Sequence, residues 1–403
     1  MTPAHLPPMG RRGLLLGLSA LATLGGARLA VAQNGPPPGG RGERRLVVIV
    51  LRGAMDGLHA VVPYGDADYA GLRGALALPE PGREGGVHDL GGFFGLHPAL
   101  RGMADLYRSG QLLPVQAVAG PYRTRSHFEG QDLLEGGAEQ RLNAGWLNRA
   151  LSQMGGGPQG PRRGLSVGAG VPLILRGPEP VGSWAPARPQ RPHEELLGRM
   201  ADLLHEDPVL GRGMQEGLRG RGFATAAMAS AEPLGGSGFQ VLAAAAGRLL
   251  AARDGPRVAA LEIGGWDTHA MQGNRMQPAL AQLDGGLMAL RRELGAAWAQ
   301  TVVFCVTEFG RTARPNGNMG TDHGTGGAAF LAGGAVQGGR VLTDWPGLRD
   351  GRLFEGRDLQ PTRDLRAIAK GLLRDHLRLP PAALAAAFPG SAAVAPEGGL
   401  LRG

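Results

Sequence analysis

The chain repeatedly sets a short, unbroken apolar run in front of a glycine-rich polar segment carrying aspartate, histidine or arginine, and this alternation limits the folds open to it. Leu46–Leu51 is the first such run, and Leu112–Val118, Val258–Ile263 and Thr301–Thr307 are three more. A run that is apolar throughout, rather than at every second residue, suits a strand buried on both faces, the condition inside a parallel sheet. Helical spacing appears between the runs. Leu100, Met103 and Tyr107 share one face of Pro98–Ser109, closed by Gly110, and Leu283, Leu287, Leu290 and Leu294 line Pro278–Gln300. Strand and helix therefore alternate, and the expected fold is α/β: a three-layer α/β/α sandwich with a mostly parallel sheet.

That domain is expected to span residues 46–380. Its middle has a different texture. Gly155–Gly164 and Gly177–Pro192 are rich in Gly, Pro and Arg, and Glu194–Arg253 is helical in pattern without clear strands, so residues 178–255 read as a helical insertion or cap. Thr362–Leu379 reads as a terminal helix, and the Ala/Pro/Gly segment 381–403 as a loosely held tail.

Residues 1–32 read as a signal peptide of the twin-arginine type. Arg11 and Arg12 stand directly before Gly13–Leu24, an apolar stretch too short to span a bilayer, and Ala30-Val31-Ala32 supplies a small-x-small cleavage pattern. Arg28, between the apolar stretch and the cleavage pattern, suits the same route. Residues 33–45, with Pro36, Pro37 and Pro38, form a linker that builds no core. The expectation is a periplasmic or secreted protein that meets the twin-arginine translocase during export and keeps no permanent membrane anchor. That route carries proteins already folded, often around a metal.

Several function classes are excluded. The formal charge of +8 includes Arg11, Arg12 and Arg28, which leaves +5 once the leader is subtracted. Near-total use of Arg, with Lys370 the single lysine, and 71 Gly look like codon bias, so the basic balance says little about nucleic acid. Aromatic residues make up only 5%, too few for a base-stacking surface, and no nucleic-acid partner is expected. A Walker loop needs Gly-Lys, and Lys370 follows Ala369. His193-Glu194 lacks the second histidine of a zinc-protease helix. Cys305 sits alone in an apolar run and reads as a small buried hydrophobe. Gly164-Leu165-Ser166-Val167-Gly168 matches the nucleophile-elbow pattern, yet the sequence offers neither the preceding strand nor the following helix that the elbow requires.

Ligands of open parallel sheets bind where strands end, so the residues after each run carry the functional signal. Arg52-Gly53-Ala54-Met55-Asp56-Gly57 follows the first run, and Tyr122 to Glu129 follows the second. Gly264-Gly265-Trp266-Asp267-Thr268-His269 follows the third, and Glu308-Phe309-Gly310-Arg311-Thr312 the fourth, with Gly320-Thr321-Asp322-His323-Gly324 beyond it. Neighbouring strands would bring Asp56, Asp267, His269, Glu308, Asp322 and His323 to one rim as candidate metal ligands. Oxygen and imidazole donors without thiolate suit one or two divalent cations, zinc first and then manganese or calcium. Taken singly, Asp56-Gly57 is also a turn dipeptide and Asp267 a helix cap. Ser126-x-x-Glu129 is a capping box opening a helix, and a serine at such a terminus meets a dipole that favours its alkoxide, with Arg123 and Arg125 adding charge beside it.

At these residues the chain resembles the bacterial family called domain of unknown function 1501 (DUF1501), and through it the alkaline phosphatase-like, or sulfatase-like, superfamily. The likeness runs from about Arg44 to the C-terminal helix, through Arg52 to Leu58, Arg125 to Glu129, Gly265 to His269, Thr307 to Thr312 and Gly320 to Gly324. The resemblance implies an α/β/α sandwich with a metal site at the strand ends. By position it implies Ser126 as nucleophile, Asp56 as the first-strand ligand, Asp267 and His269 on one metal, and Glu308, Asp322 and His323 on another. The superfamily places Asp-His directly after the strand that here ends at Thr307, where this chain has Glu308-Phe309. Around Ser126 this chain also lacks the sulfatase maturation motif, with neither its proline nor its arginine. The function implied is a metal-dependent hydrolase of phosphate or sulfate esters, on a small-molecule or polymer substrate. The altered ligand pattern leaves a catalytically inactive binding module on the same scaffold as the alternative.

Overall fold

Strand β1, Arg45–Leu51, feeds two cores at once, because alternate residues of a strand face opposite sides of its sheet. Leu46, Val48 and Val50 join one buried cluster with the helices Trp146–Ser152, Leu365–Gly371 and Pro381–Ala387. Val47, Ile49 and Leu51 join another with the helices Arg101–Arg108, Phe239–Ala251 and Gln272–Leu294. The molecule is thus a mixed α/β fold with helices on both faces of a large sheet. The computed structural model describes residues 44–154, 163–186, 200, 203–204, 207, 210–229, 234–236 and 238–403. The expected leader and residues 33–43 of the linker lie outside them. Among the described residues no helix is long and apolar enough to cross a membrane.

The remaining strands are β2 (Val61–Val62), β3 (His88–Asp89), β4 (Gly95–Leu96), β5 (Leu112–Ala119), β6 (Gly164–Val167), β7 (Gly182–Trp184), β8 (Val258–Ile263), β9 (Thr301–Val306), β10 (Gly327–Ala332) and β11 (Arg363–Asp364). Eight form one sheet in the order β11-β5-β10-β9-β1-β8-β6-β7, and β2, β4 and β3 form a small antiparallel sheet beside it. Every pairing in the large sheet is parallel except those of β10 with β5 and β9. β1 lies between β8 and β9 in matched register, Leu46 opposite Val258 and Val302. The loops after β1, β8 and β9 therefore leave from adjacent points on one rim. β5 ends at the same rim, and antiparallel β10 enters the sheet there, delivering Asp322 and His323 just before it.

Five expectations need correction. The middle is not purely a helical insertion: β7 pairs with β6 in the main sheet, and Phe239–Ala251 packs in the core against Gln272–Leu294. Ser166 lies in strand β6, where none was expected, but no helix follows, and its buried hydroxyl donates to the Gly170 carbonyl at 2.8 Å. The C-terminal segment is tied down. Phe388 stacks on Trp146 at 5.2 Å, Leu400 is buried, and Leu401 bridges to Val336. The helix expected from Pro278 begins earlier, at Gln272, and the one expected over Thr362–Leu379 starts at Leu365 and passes into a π-helical turn at Leu372–His376.

Candidate metal centre

Two glycines bring the rim loops into contact. Gly53, at φ +121°, lies so close to the β8 loop that a Cβ there would stand 2.7 Å from the Asp267 nitrogen. A Cβ on Gly320 would stand 2.2 Å from the His269 carbonyl carbon. No other residue type permits either approach.

Asp267 stands at the centre of the rim. Its Oδ1 has the Nε2 atoms of His269, His323 and His127 at 3.0, 3.2 and 3.4 Å, and accepts from Arg311 Nη1 at 2.8 Å. His127, Asp267 and His323 form a group whose donor atoms all lie within 4.8 Å of one another, able to hold a metal ion. His269 belongs beside them, its Nε2 being 2.9 Å from that of His323.

The far side of each ring fixes what the near side offers. His323 Nδ1 lies 2.8 Å from the Arg125 carbonyl oxygen, which can only accept, so Nδ1 carries the proton. His127 Nδ1 lies 2.8 Å from Glu308 Oε1, and His269 Nδ1 3.0 Å from Asp322 Oδ1, both carboxylate acceptors. In the neutral tautomers this leaves three unprotonated Nε2 atoms converging on one anionic oxygen. Nothing neutral satisfies that arrangement. A proton on one ring or a cation among them does, and His127 Nε2, buried and without a hydrogen-bond partner, is the atom left unserved. Carboxylate or carbonyl acceptors behind metal-binding imidazoles are the usual means of orienting such ligands.

The electrostatics agree. The hydrogen bond that His127 donates to Glu308 raises the pKa of His127 despite its partial burial. Burial works against the charge of Glu308, but hydrogen bonds from His127, Gln131 and the Gly53 N–H prevail and hold its carboxyl below the usual range. Asp267 is likewise partly desolvated and held below the usual range by Arg311. Burial lowers the pKa of His323. Asp322 is lowered first by the hydrogen bond from Asn316.

The expected site residues thus divide. Asp267, His269 and His323 come together at the rim. Glu308 and Asp322 are present one step out, behind the imidazoles rather than among the donor atoms. Asp56 lies in the frame beneath. Its Oδ1 accepts from the Leu58 and His59 N–H groups as an N-cap, and its Oδ2 from Arg73 at 2.6 Å and Gln272 at 2.7 Å, so both oxygens are taken by protein donors. Gln272 Oε1 accepts in turn from Thr268 and Thr321, and Arg311 Nε donates to Thr321 Oγ1, a buried chain from Asp56 to Asp267.

Ser126 precedes the helix His127–Gly136 as expected, without the capping box. Its hydroxyl makes no cap hydrogen bond, its N–H donates to Tyr122 Oη, and that phenol donates to Glu129. The two arginines expected beside it are engaged elsewhere: Arg123 donates to the Gly120 and Tyr122 carbonyls, and Arg125 pairs with Glu355 and Asp358. Arg125 holds φ at 62°, a left-handed conformation costing about 1–3 kcal/mol for a non-glycine residue, and its carbonyl in that conformation accepts from His323. Sequence reasoning missed His127 and Arg311, although both stand in the segments it quoted.

A sheet of mostly parallel strands with a histidine–aspartate cluster at its carboxyl rim defines an α/β protein with a candidate metal centre. The model of the family described as protein of unknown function (DUF1501) matches residues 112–380, most of the chain, and the chain belongs to that family. No curated protein matches it.

Proposed function

We propose that the chain is a metal-dependent hydrolase of phosphate or sulfate esters on an alkaline phosphatase-like scaffold. The observation that carries the reading is the convergence of the Nε2 atoms of His127, His269 and His323 on Asp267 Oδ1. These four residues would hold the cation. Three imidazoles and one carboxylate favour zinc over the oxygen-preferring manganese and calcium. A divalent cation held there supplies Lewis acidity to an ester oxygen and to the nucleophile.

The residues around it have separable tasks. Ser126, at the N-terminus of the helix His127–Gly136 and next to a ligand, offers a hydroxyl free of cap bonding where the helix dipole favours its alkoxide. Glu308, Asp322 and the Arg125 carbonyl hold the three rings in the tautomer that presents Nε2. Arg311, fully buried, holds Asp267 ionised.

A second reading has its own support. Arg123 and Arg125, the cations expected to steady a transferring group, are committed to carbonyls and carboxylates, which suits a module that binds metal and ligand without turnover. Metal analysis and assays on p-nitrophenyl phosphate, bis-p-nitrophenyl phosphate and p-nitrophenyl sulfate separate the two. Turnover that falls at least about 100-fold in Ser126→Ala, with metal retained, supports the hydrolase. Unchanged turnover removes Ser126 from the chemistry, and metal binding without turnover on any ester favours the module.

Export belongs to the same proposal. Fusing residues 1–32 to a reporter and changing Arg11 and Arg12 to Lys should hold the reporter in the cytoplasm; undiminished export would contradict the twin-arginine route.

A further inference from the structure

A second feature opens beside the cluster: a surface groove of about 380 Å³ whose lining includes Arg52, Phe128, Gln131, Glu135, Arg141 and Arg176. It shares parts with the candidate centre. Phe128 follows His127 in the chain, and Gln131 donates to the same Glu308 oxygen that holds His127. An occupant of the groove would therefore lie against the helix that carries His127.

The lining specifies a chemistry. Its three arginines and three acids balance, so the groove carries no net charge. Most of these groups are fixed by one another. Arg52 pairs with Glu135 at 2.8 Å and with Glu262, and donates to Gln131, while Arg141 donates to Asp132 at 2.6 Å. Glu135 is buried and accepts from the Ile174 N–H at 2.9 Å. Planar guanidinium, amide and carboxylate groups held this way keep spare donors and acceptors in set directions, suited to neighbouring hydroxyls. Arg176 is exposed and bonds through Nε to the Val171 carbonyl, which leaves its terminal nitrogens uncommitted. Phe128 is 83% exposed, an apolar plate beside these polar groups.

We propose that this groove binds the neutral, polyhydroxylated ring of a saccharide, stacked on Phe128 and hydrogen-bonded by Gln131, Arg141 and Arg176, so that the ester cleaved next door is one carried on a sugar. A purely aromatic leaving group would use the plate and leave the polar groups idle. A polyanion would find no net positive charge in the groove to offset its own. The assignment of the cleaved ester rests on the hydrolase reading, whereas the binding itself does not.

The test is calorimetric titration of the metal-loaded chain with maltotriose, cellotriose and chitotriose, in the parent, Phe128→Ala, Phe128→Trp and Arg176→Ala, with thermal unfolding to verify folding. Phe128 and Arg176 are exposed, so the variants should fold. Binding of at least one trisaccharide, weakened about tenfold or more by Phe128→Ala and Arg176→Ala and recovered by Phe128→Trp, supports the site. Absence of binding by all three, or binding indifferent to Phe128, overturns it. Saccharide binding with no ester turnover would sink the hydrolase alone; turnover of aryl esters with no saccharide binding would sink this inference alone.

Discussion

His269 and His323 bring their Nε2 atoms to 2.9 Å of each other while turning their Nδ1 atoms to separate acceptors, the Asp322 carboxylate and the Arg125 carbonyl. Two imidazole nitrogens at that separation share either a proton or a cation. With His127 and Asp267 completing the group, the proposed occupant is a metal ion, whose affinity the acceptors behind the rings would set.

The Glu308→Gln variant isolates one of those parts. The substitution keeps the side chain's size and its contacts with Gly53 and Gln131 but removes the charge from behind His127. Metal affinity should fall about 10- to 100-fold with little change in fold, as loss of an orienting partner does elsewhere. Affinity by competition with a chelating dye checks this. Undiminished affinity would show that His127 does not serve as a ligand.

Asp56 should behave in the opposite way. It and Arg73 form a buried ion pair at 2.6 Å, and removing one partner strands the other. Asp56→Ala should cost about 3–5 kcal/mol in a denaturant titration. The folded fraction should keep its metal stoichiometry. Loss of metal from a protein of unaltered stability would return Asp56 to the ligand set.

Acid should unfold the metal-free chain through histidines remote from the cluster. Burial lowers the pKa of His59 to about 4, of His376 to about 4 and of His97 to about 3. Free histidine titrates near 6.5, so between that value and the folded one the unfolded chain binds more protons, and stability is lost as pH falls through the window. His59 and His376 contribute on the order of 3 kcal/mol each. Urea midpoints at pH 7, 5.5 and 4.5 measure the slope. His59→Leu, which replaces a buried imidazole by an apolar side chain, should flatten it. An equal slope in that variant would contradict the assignment.

What the sequence disclosed follows from how each signal is encoded. β1, β8 and β9 were legible because burial on both faces demands unbroken apolar runs, and their observed bounds fall within a residue of those expected. β6 and β7 were not, since four and three residues rich in Gly and Ser carry no periodicity. The tail from 381 was misjudged because Ala and Pro signal looseness in composition, while its anchoring depends on contacts as distant as Phe388 with Trp146.

The site was legible as a set of segments and not as roles. Position along a strand end brings Asp267, Glu308 and Asp322 to one rim, but whether a carboxylate or an imidazole faces inward depends on side-chain directions set by the packed loops. His127 was hidden by Ser126 and Glu129, whose spacing points to a cap that does not form. Asp56 took the modest role its Asp-Gly dipeptide already allowed, at the head of a short helix.

The most direct test is the metal content of the purified chain, by mass spectrometry, with His127→Ala and His323→Ala in parallel. About one equivalent of zinc per chain is expected in the parent, with stoichiometric binding lost in both variants that stay folded. A parent chain that takes up no divalent metal, or variants that hold it as tightly as the parent, would contradict the account.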